Sequence, residues 1–289
     1  MACLGKEVPF SEAVTGEPPE DFVEIGDQLV HCEDSGEGPA VMMLHGFASS
    51  SFSFRLIRQP LSQSFRVLTV DLNGFGLTER PRKTESYHHR TQSDLVVEVL
   101  KIKGIERFHL IGHSYGAVIS THIAELYPEK VNRLVLISPP ADFTGNSPWY
   151  LRGKLGIKLA ILMVRLLLSN PAKFHQLSAR AVYGDEALPI TVSEHYRRSM
   201  LIEGLRTACL GYIENFEKHR AEMIRYEKII QPVLIIAGKE DRIITEEKIG
   251  RVISMITHAE AVFIPECGHC PPEEQPEAVI KATRRFLAS

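Results

Sequence analysis

Phe108-His109-Leu110-Ile111 runs into Gly112-His113-Ser114-Tyr115-Gly116, and Ala117 to Tyr127 follows, stopped by Pro128. The first four residues form a short apolar run of strand type, and the residues from Ala117 onward have helical periodicity. Between them stands G-x-S-x-G, so a strand is predicted to turn sharply into a helix with Ser114 at the apex. Such a turn holds its central residue in a sparsely populated backbone region, at a cost of about 1–3 kcal/mol, and lifts the hydroxyl clear of its neighbours. Gly112 and Gly116 are the positions where a Cβ would strike the crossing backbone. Without its flanks the motif is weak, because Ser114 would serve equally as an ordinary helix N-cap. The strand before it and the helix after it are what decide.

Outward from this stretch, short apolar runs alternate with helical patterns. Strands are expected at Ala40 to Leu44, Arg66 to Val70, Phe108 to Ile111, Arg133 to Ile137, Pro232 to Ala237 and Ala261 to Ile264. Helices are expected at Thr91 to Ile102, Tyr115 to Tyr127, Glu246 to Met255 and Glu277 to Leu287. The strand runs are continuously apolar, as they must be where helices cover both faces of a parallel sheet. Phe22 to Ile25 and Gln28 to His31, joined through Gly26-Asp27, read as an antiparallel hairpin. The fold class is therefore α/β, with a mostly parallel doubly wound sheet. The alternation stops between about Ala141 and Ile229, where helical periodicity alone remains. Residues 1–140 and 230–289 are expected to form the core, and residues 141–229 an inserted helical cap. The first cap helix, about Lys154 to Ser169, carries Lys154, Lys158 and Arg165 close together on an otherwise apolar surface. It must bury most of its circumference; packing over a pocket is the expectation, and weak contact with a membrane surface is the alternative.

Composition bounds the function. Of 289 residues, 44% are hydrophobic and 24% charged, which excludes a disordered or low-complexity chain. The formal charge is −3, so no basic excess points to nucleic acid. Five cysteines (Cys3, Cys32, Cys209, Cys267 and Cys270) are too few for a secreted disulfide scaffold. Met1 to Phe10 has no apolar signal run, and Leu155 to Leu168 is broken by Lys158 and Arg165 and shorter than the ~20 residues a bilayer demands. A soluble cytoplasmic protein, monomer or homodimer, is expected.

A serine hydroxyl needs a base to take its proton, and the base needs an acid to orient it. Asp241 follows the strand ending at Ala237 through Gly238-Lys239-Glu240, and His269 follows the strand ending at Ile264 through Pro265-Glu266-Cys267-Gly268. All three residues thus project from the carboxyl edge of the sheet, where this architecture builds its sites. Glu240 is a less well placed acid, and Asp142, after the strand ending at Ile137, is a serious rival. A tetrahedral intermediate also needs waiting donors. The backbone N–H of Tyr115 and that of Phe47, in the His45-Gly46-Phe47 loop, are the candidates.

These segments, with Asp71-Leu72-Asn73-Gly74-Phe75-Gly76, Thr78 and Pro81, and with Glu273 and Pro276 after Gly268-His269, resemble the α/β-hydrolase superfamily over nearly the whole chain outside residues 141–229. Within it the chain looks like the branch of capped esterases, haloperoxidase-like enzymes and carbon-carbon hydrolases. The resemblance implies Ser114 as nucleophile, His269 as base, Asp241 as acid, and Phe47 and Tyr115 as oxyanion donors; a cofactor-independent enzyme is expected. It also implies that Asp71 to Gly76 is a structural turn. Haloalkane dehalogenases and epoxide hydrolases of this branch carry aspartate at the position of Ser114, so serine favours acyl chemistry on a carboxylic ester. Ring-cleavage carbon-carbon hydrolases usually have Asn where His113 stands; a carbon-carbon hydrolase or lyase, and a weakly catalytic ligand sensor, remain alternatives.

Cys267-Gly268-His269-Cys270 is a C-x-x-C, but only 19 residues follow Cys270, too few for a thioredoxin-like fold. Oxidation of the pair could displace His269. His88-His89, and His175 with His195, lack a closed four-ligand pattern for a metal. Phe143, Trp149, Phe174, Tyr183 and Tyr212 are expected to serve mostly as cap core, with pocket lining as the alternative.

Overall fold

The apolar runs fold as strands: β1 (Phe22–Ile25), β2 (Gln28–Ser35), β3 (Ala40–Leu44), β4 (Arg66–Val70), β5 (Phe108–His113), β6 (Val131–Ile137), β7 (Val233–Gly238) and β8 (Glu260–Ile264). The structure, a computed structural model, describes residues 7–142, 162–163, 166–182, 189–219, 222 and 224–289. Among these the strands make one sheet in the order β1-β2-β4-β3-β5-β6-β7-β8. β1 pairs with β2, and β2 with β4, antiparallel; the other pairings are parallel. β3, β5 and β7 are buried along their whole length. Their side chains alternate between two apolar layers, Val41, Met43, Ile111 and Ile236 on one face and Met42, Leu44, Leu110 and Ile235 on the other. That double covering is why the runs lack the polar alternation of a one-faced sheet.

The helices of the core are α1 (Phe10–Ala13), α2 (Arg55–Ser62), α3 (His89–Ile102) and α4 (Tyr115–Leu126), and the three between β6 and β7 are α5 (Pro171–Val182), α6 (Ile190–Met200) and α7 (Leu205–His219). After β7 come α8 (Glu246–Met255), α9 (Pro271–Glu274) and α10 (Pro276–Ala288). α2 and α10 cover one face of the sheet, and α3, α4 and α8 the other. The doubly wound sheet is the expected fold. α2 escaped the sequence reading because Arg55, Arg58, Gln59 and Pro60 mask a stripe of only two buried residues, Ile57 and Leu61. β2 outruns the hairpin reading to Ser35, because Cys32 to Ser35 pair with β4.

Crossovers leave β3 toward β4 and β5 toward β6, in opposite directions across the sheet, so a crevice opens between the carboxyl ends of β3 and β5. Gly116 closes its floor: a Cβ there would fall inside the Leu44 carbonyl, so α4 presses directly on the end of β3.

The segment leading from α6 into α7 is moored to the core. The buried Arg80 guanidinium donates to the carbonyls of Gly74 (3.1 Å), Ser199 (2.8 Å) and Ile202. Residues at the front of the chain add a strap, Val8 N–H to Leu201 O and Glu203 N–H to Val8 O, both 2.8 Å. The expected helix 154–169, and with it the membrane-contact alternative, lies largely outside the described residues, as do Phe143, Trp149 and Tyr183. Among the described residues no helix is long and apolar enough to cross a membrane.

Gly116→Ala is expected to lower the unfolding free energy by about 3 kcal/mol, the scale of an overpacked backbone contact; urea denaturation followed by circular dichroism measures it.

Candidate active site

Ser114 sits at φ +51°, ψ −112°, a left-handed conformation that a non-glycine residue adopts only when its surroundings impose it. Two constraints do so here. Its amide donates to Ile137 O at 2.9 Å, at the end of the neighbouring strand, and α4 begins at the next residue. Gly112 is required as well, since a Cβ there would lie 2.5 Å from the Gly116 carbonyl oxygen. The half-buried Ser114 hydroxyl is thereby lifted to the edge of the crevice.

His269 comes from the loop after β8 and Asp241 from the turn after β7. Gly238 lets the two meet, because any side chain there would run into the Cys267 and Gly268 carbonyls. His269 Nδ1 lies 2.8 Å from Asp241 Oδ2, and its Nε2 lies 3.2 Å from Ser114 Oγ. The imidazole is 7% exposed. Asp241 Oδ1 accepts the Ile243 and Ile244 amides, both at 2.8 Å. Burial alone would raise the Asp241 pKa, but the hydrogen bond and charge of His269, with those two amides, hold it below the ordinary carboxylate value. An anion facing Nδ1 selects the tautomer that carries its proton there and leaves Nε2 open toward the hydroxyl.

The structure thus brings Ser114, Asp241 and His269 together and leaves the rival acids elsewhere. Asp142 pairs with Arg251 of α8 at 2.8 Å. Glu240 accepts the Cys267 amide at 2.9 Å. Phe47 lies on the loop after β3, and Gly46 packs so near the apex that a Cβ on it would be 3.3 Å from Ser114 Cβ. Tyr115 opens α4, where the first amides have no intrahelical carbonyl.

The Phe47 loop is fastened from behind. His45 is fully buried, with Nδ1 2.8 Å from Gly46 O and Nε2 accepting the Leu72 amide at 3.0 Å. Burial pushes its pKa down, which suits an imidazole that donates on one side and accepts on the other. Asp71 is the hub of the turn after β4: it accepts the Ser51 amide (2.6 Å), the Leu77 amide (2.8 Å) and His31 Nδ1 (2.9 Å). Despite its burial, the charge and hydrogen bond of His31 hold Asp71 well below the usual carboxylate range. Asp71 thus ties the turn internally, while Gly74 and Phe75 of the same segment line the apolar cavity described below.

One residue went unseen in the sequence. Glu274 accepts the Gly268 and Cys270 amides, both at 2.6 Å, and so brackets His269. Its signal would have been a carboxylate one helical turn beyond Cys270, where a side chain reaches back to the start of α9. Glu273, quoted in the resemblance, instead pairs with Arg55.

An apolar cavity of about 330 Å³ begins at Phe47 and Ala48 and continues between Phe75, Met200, Cys209, Tyr212 and Phe216. Phe47 is half exposed at its mouth and meets Phe75, Tyr115 and Tyr212 edge-on. Tyr212 therefore lines the cavity, while its hydroxyl is tied to Asn73 O at 2.7 Å; Phe174 is buried beside Leu168 and Leu205. A larger hollow of about 730 Å³, between Val8 and the Glu194 to Arg198 stretch of α6, is lined by none of Ser114, Asp241 and His269. Cys267 and Cys270 are thiols rather than a disulfide, buried in separate apolar clusters. Among the described residues no three His, Cys, Asp or Glu side chains converge on a metal position. His175 instead meets Ser193 Oγ at 2.8 Å, and His195 stacks on Phe52.

A family described as alpha/beta hydrolase fold matches residues 39–276. Lipase 1 of Psychrobacter immobilis is 27% identical over 254 residues, covering 86% of this chain and 77% of the lipase. The pimeloyl-[acyl-carrier protein] methyl ester esterase of Nitrosomonas europaea is 26% identical over 253 residues, covering 87% of this chain and 96% of the esterase. Among solved structures, a bacterial membrane phospholipase A superimposes with a TM-score of 0.70 at 27% identity, covering 92% of this chain and 84% of its own.

His113, buried beside His269, has its pKa pushed down to about 3 by burial and by the neighbouring imidazole. Unfolded, it takes a proton below about pH 6.5; folded, it resists until about pH 3, so the unfolded chain binds more protons in between and stability falls as pH drops through that window. The expected slope from this residue is roughly 1.4 kcal/mol per pH unit. Urea unfolding at pH 7 and pH 5 measures it, and His113→Phe should flatten the dependence by that amount.

Proposed function

Because the chain belongs to the alpha/beta hydrolase family, we propose that it is a serine hydrolase cleaving carboxylic esters with an apolar acyl or alkyl portion. The observation that carries the reading is the hydrogen-bonded relay from Asp241 through His269 to Ser114, 2.8 Å and 3.2 Å, on a strained turn beside a wholly apolar cavity.

Ser114 Oγ attacks the ester carbonyl carbon while His269 Nε2 takes its proton. The carbonyl oxygen becomes an oxyanion received by the Phe47 and Tyr115 amides, an interaction whose loss typically costs ~10²–10³ in rate. Asp241 stabilises the imidazolium and holds its ring. The imidazolium then gives its proton to the departing alcohol, leaving an acyl-Ser114 ester. A water molecule, deprotonated by His269, repeats the sequence and releases the acid. The strain at Ser114 keeps the hydroxyl within reach, so little is left to organise when substrate arrives.

Residues 141–229 act as a cap in this reading, with α7 supplying one wall of the apolar cavity through Ala208, Tyr212 and Phe216. The similarity to a lipase and a methyl ester esterase is in line with an ester substrate.

The test is turnover of p-nitrophenyl esters of increasing acyl length, beside a vinylogous diketone for carbon-carbon cleavage. Hydrolysis of the medium-length esters with fluorophosphonate labelling of Ser114 is expected; turnover of the diketone alone would replace the ester reading. Ser114→Ala should lose at least ~10³-fold in kcat with little change in Tm. Asp241→Asn should lose ~10³–10⁴-fold, and Asp142→Asn should retain wild-type kcat; the reverse pattern would move the acid to Asp142.

A further inference from the structure

The main chain around His269 is held at nearly every polar atom. Cys267 N–H donates to Glu240 Oε2 and its carbonyl accepts the Glu240 amide, both at 2.9 Å. Gly268 N–H and Cys270 N–H go to the two oxygens of Glu274 at 2.6 Å each. The Glu274 amide also donates to Cys270 O at 2.9 Å, so side chain and backbone of this one residue close a ring around the loop. The His269 carbonyl is held as well, 2.7 Å from His113 Nε2.

His113 is well suited to that task. It precedes Ser114 directly at the end of β5, is 4% exposed, and lies with its ring 5.1 Å from that of His269. Facing a carbonyl, Nε2 must carry the proton, which leaves Nδ1 as an acceptor. Nδ1 has no partner, and a Cβ on Gly46 would lie 3.2 Å from it, so the ring fills the space between the Phe47 loop and the His269 loop.

We propose that His113 and Glu274 are positioning residues, gripping the peptide chain on both sides of His269 so that its imidazole stays aligned with Ser114. The inference rests on the reading of His269 as the base. Neither side chain touches the reacting atoms. Their effect reaches the reaction through the backbone: a displacement of about 1 Å at the imidazole is enough to cost ~10²-fold in rate.

The experiment measures kcat and KM on a p-nitrophenyl ester together with Tm. His113→Phe and Glu274→Ala are each expected to lower kcat ~10–100-fold with KM within about twofold of wild type. Two matched substitutions separate alignment from mere filling of space. His113→Gln can still present an N–H to the His269 carbonyl, whereas His113→Asn is one methylene too short. The proposal expects the Gln enzyme to recover most of the lost kcat and the Asn enzyme not to, at equal Tm. Both fill the site with a polar amide, so the comparison holds even should the Phe variant fail to fold. His109 lies on the same face of β5 but at its far end, against Phe65, and His109→Phe should keep wild-type kcat. Equal kcat in the Gln and Asn enzymes, or wild-type kcat in folded His113→Phe and Glu274→Ala, would overturn the proposal. A wild-type protein in which fluorophosphonate fails to label Ser114 would instead overturn the serine-hydrolase reading itself.

Discussion

The contact between Gly116 and the Leu44 carbonyl governs the rest of the molecule's chemistry. A helix can approach the end of a strand so closely only where it has no side chain. The approach draws the loops after β3 and β5 into one crevice, and it also keeps the turn at Ser114 tight. Were α4 to stand off by the thickness of a methyl group, the loop after β3 would no longer pack against the turn at Ser114. Gly238 does the same for β7 and the His269 loop, so two glycines, one in the first turn of α4 and one at the end of β7, bring four loop segments together.

Most of the core could be read from the chain because burial on both faces leaves a strong mark: Ala40 to Leu44 and Arg66 to Val70 match the observed strands residue for residue. The G-x-S-x-G stretch was legible for a related reason, since each of its glycines answers a collision rather than a preference. What escaped had weaker local marks. α2 exposes most of its surface and contains a proline, and its two buried residues do not make a visible period. Glu274 acts on a loop through backbone amides, and the need for an acceptor at that place exists only once β8 and α9 are assembled. Asp241 was chosen from the sequence, but with Asp142 standing as a rival. Both follow strands at the same edge of the sheet, and only the turn of Gly238 and the Arg251 side chain of α8 separate them in space.

The electrostatics of the crevice divide along a simple line. The two buried carboxylates, Asp71 and Asp241, each collect two amides and one imidazole, which is enough to keep a charge that burial would otherwise neutralise. The histidines that serve as props, His45 and His113, are pushed toward the uncharged form and use the imidazole as a rigid donor or acceptor. Each of these two carboxylates orients a ring, whereas the Glu274 carboxylate beside them holds main-chain amides.

The strap that Val8 forms with Leu201 and Glu203 joins regions almost two hundred residues apart, and Arg80 ties the same stretch to the core. Met200 and Leu205, on either side of this knot, both line the apolar cavity. The earliest described residues therefore belong mechanically to the pocket, although they contribute no atom to its chemistry. Loss of Val8 would remove both strap hydrogen bonds, with the Arg80 guanidinium still holding the stretch from Ser199 to Glu203.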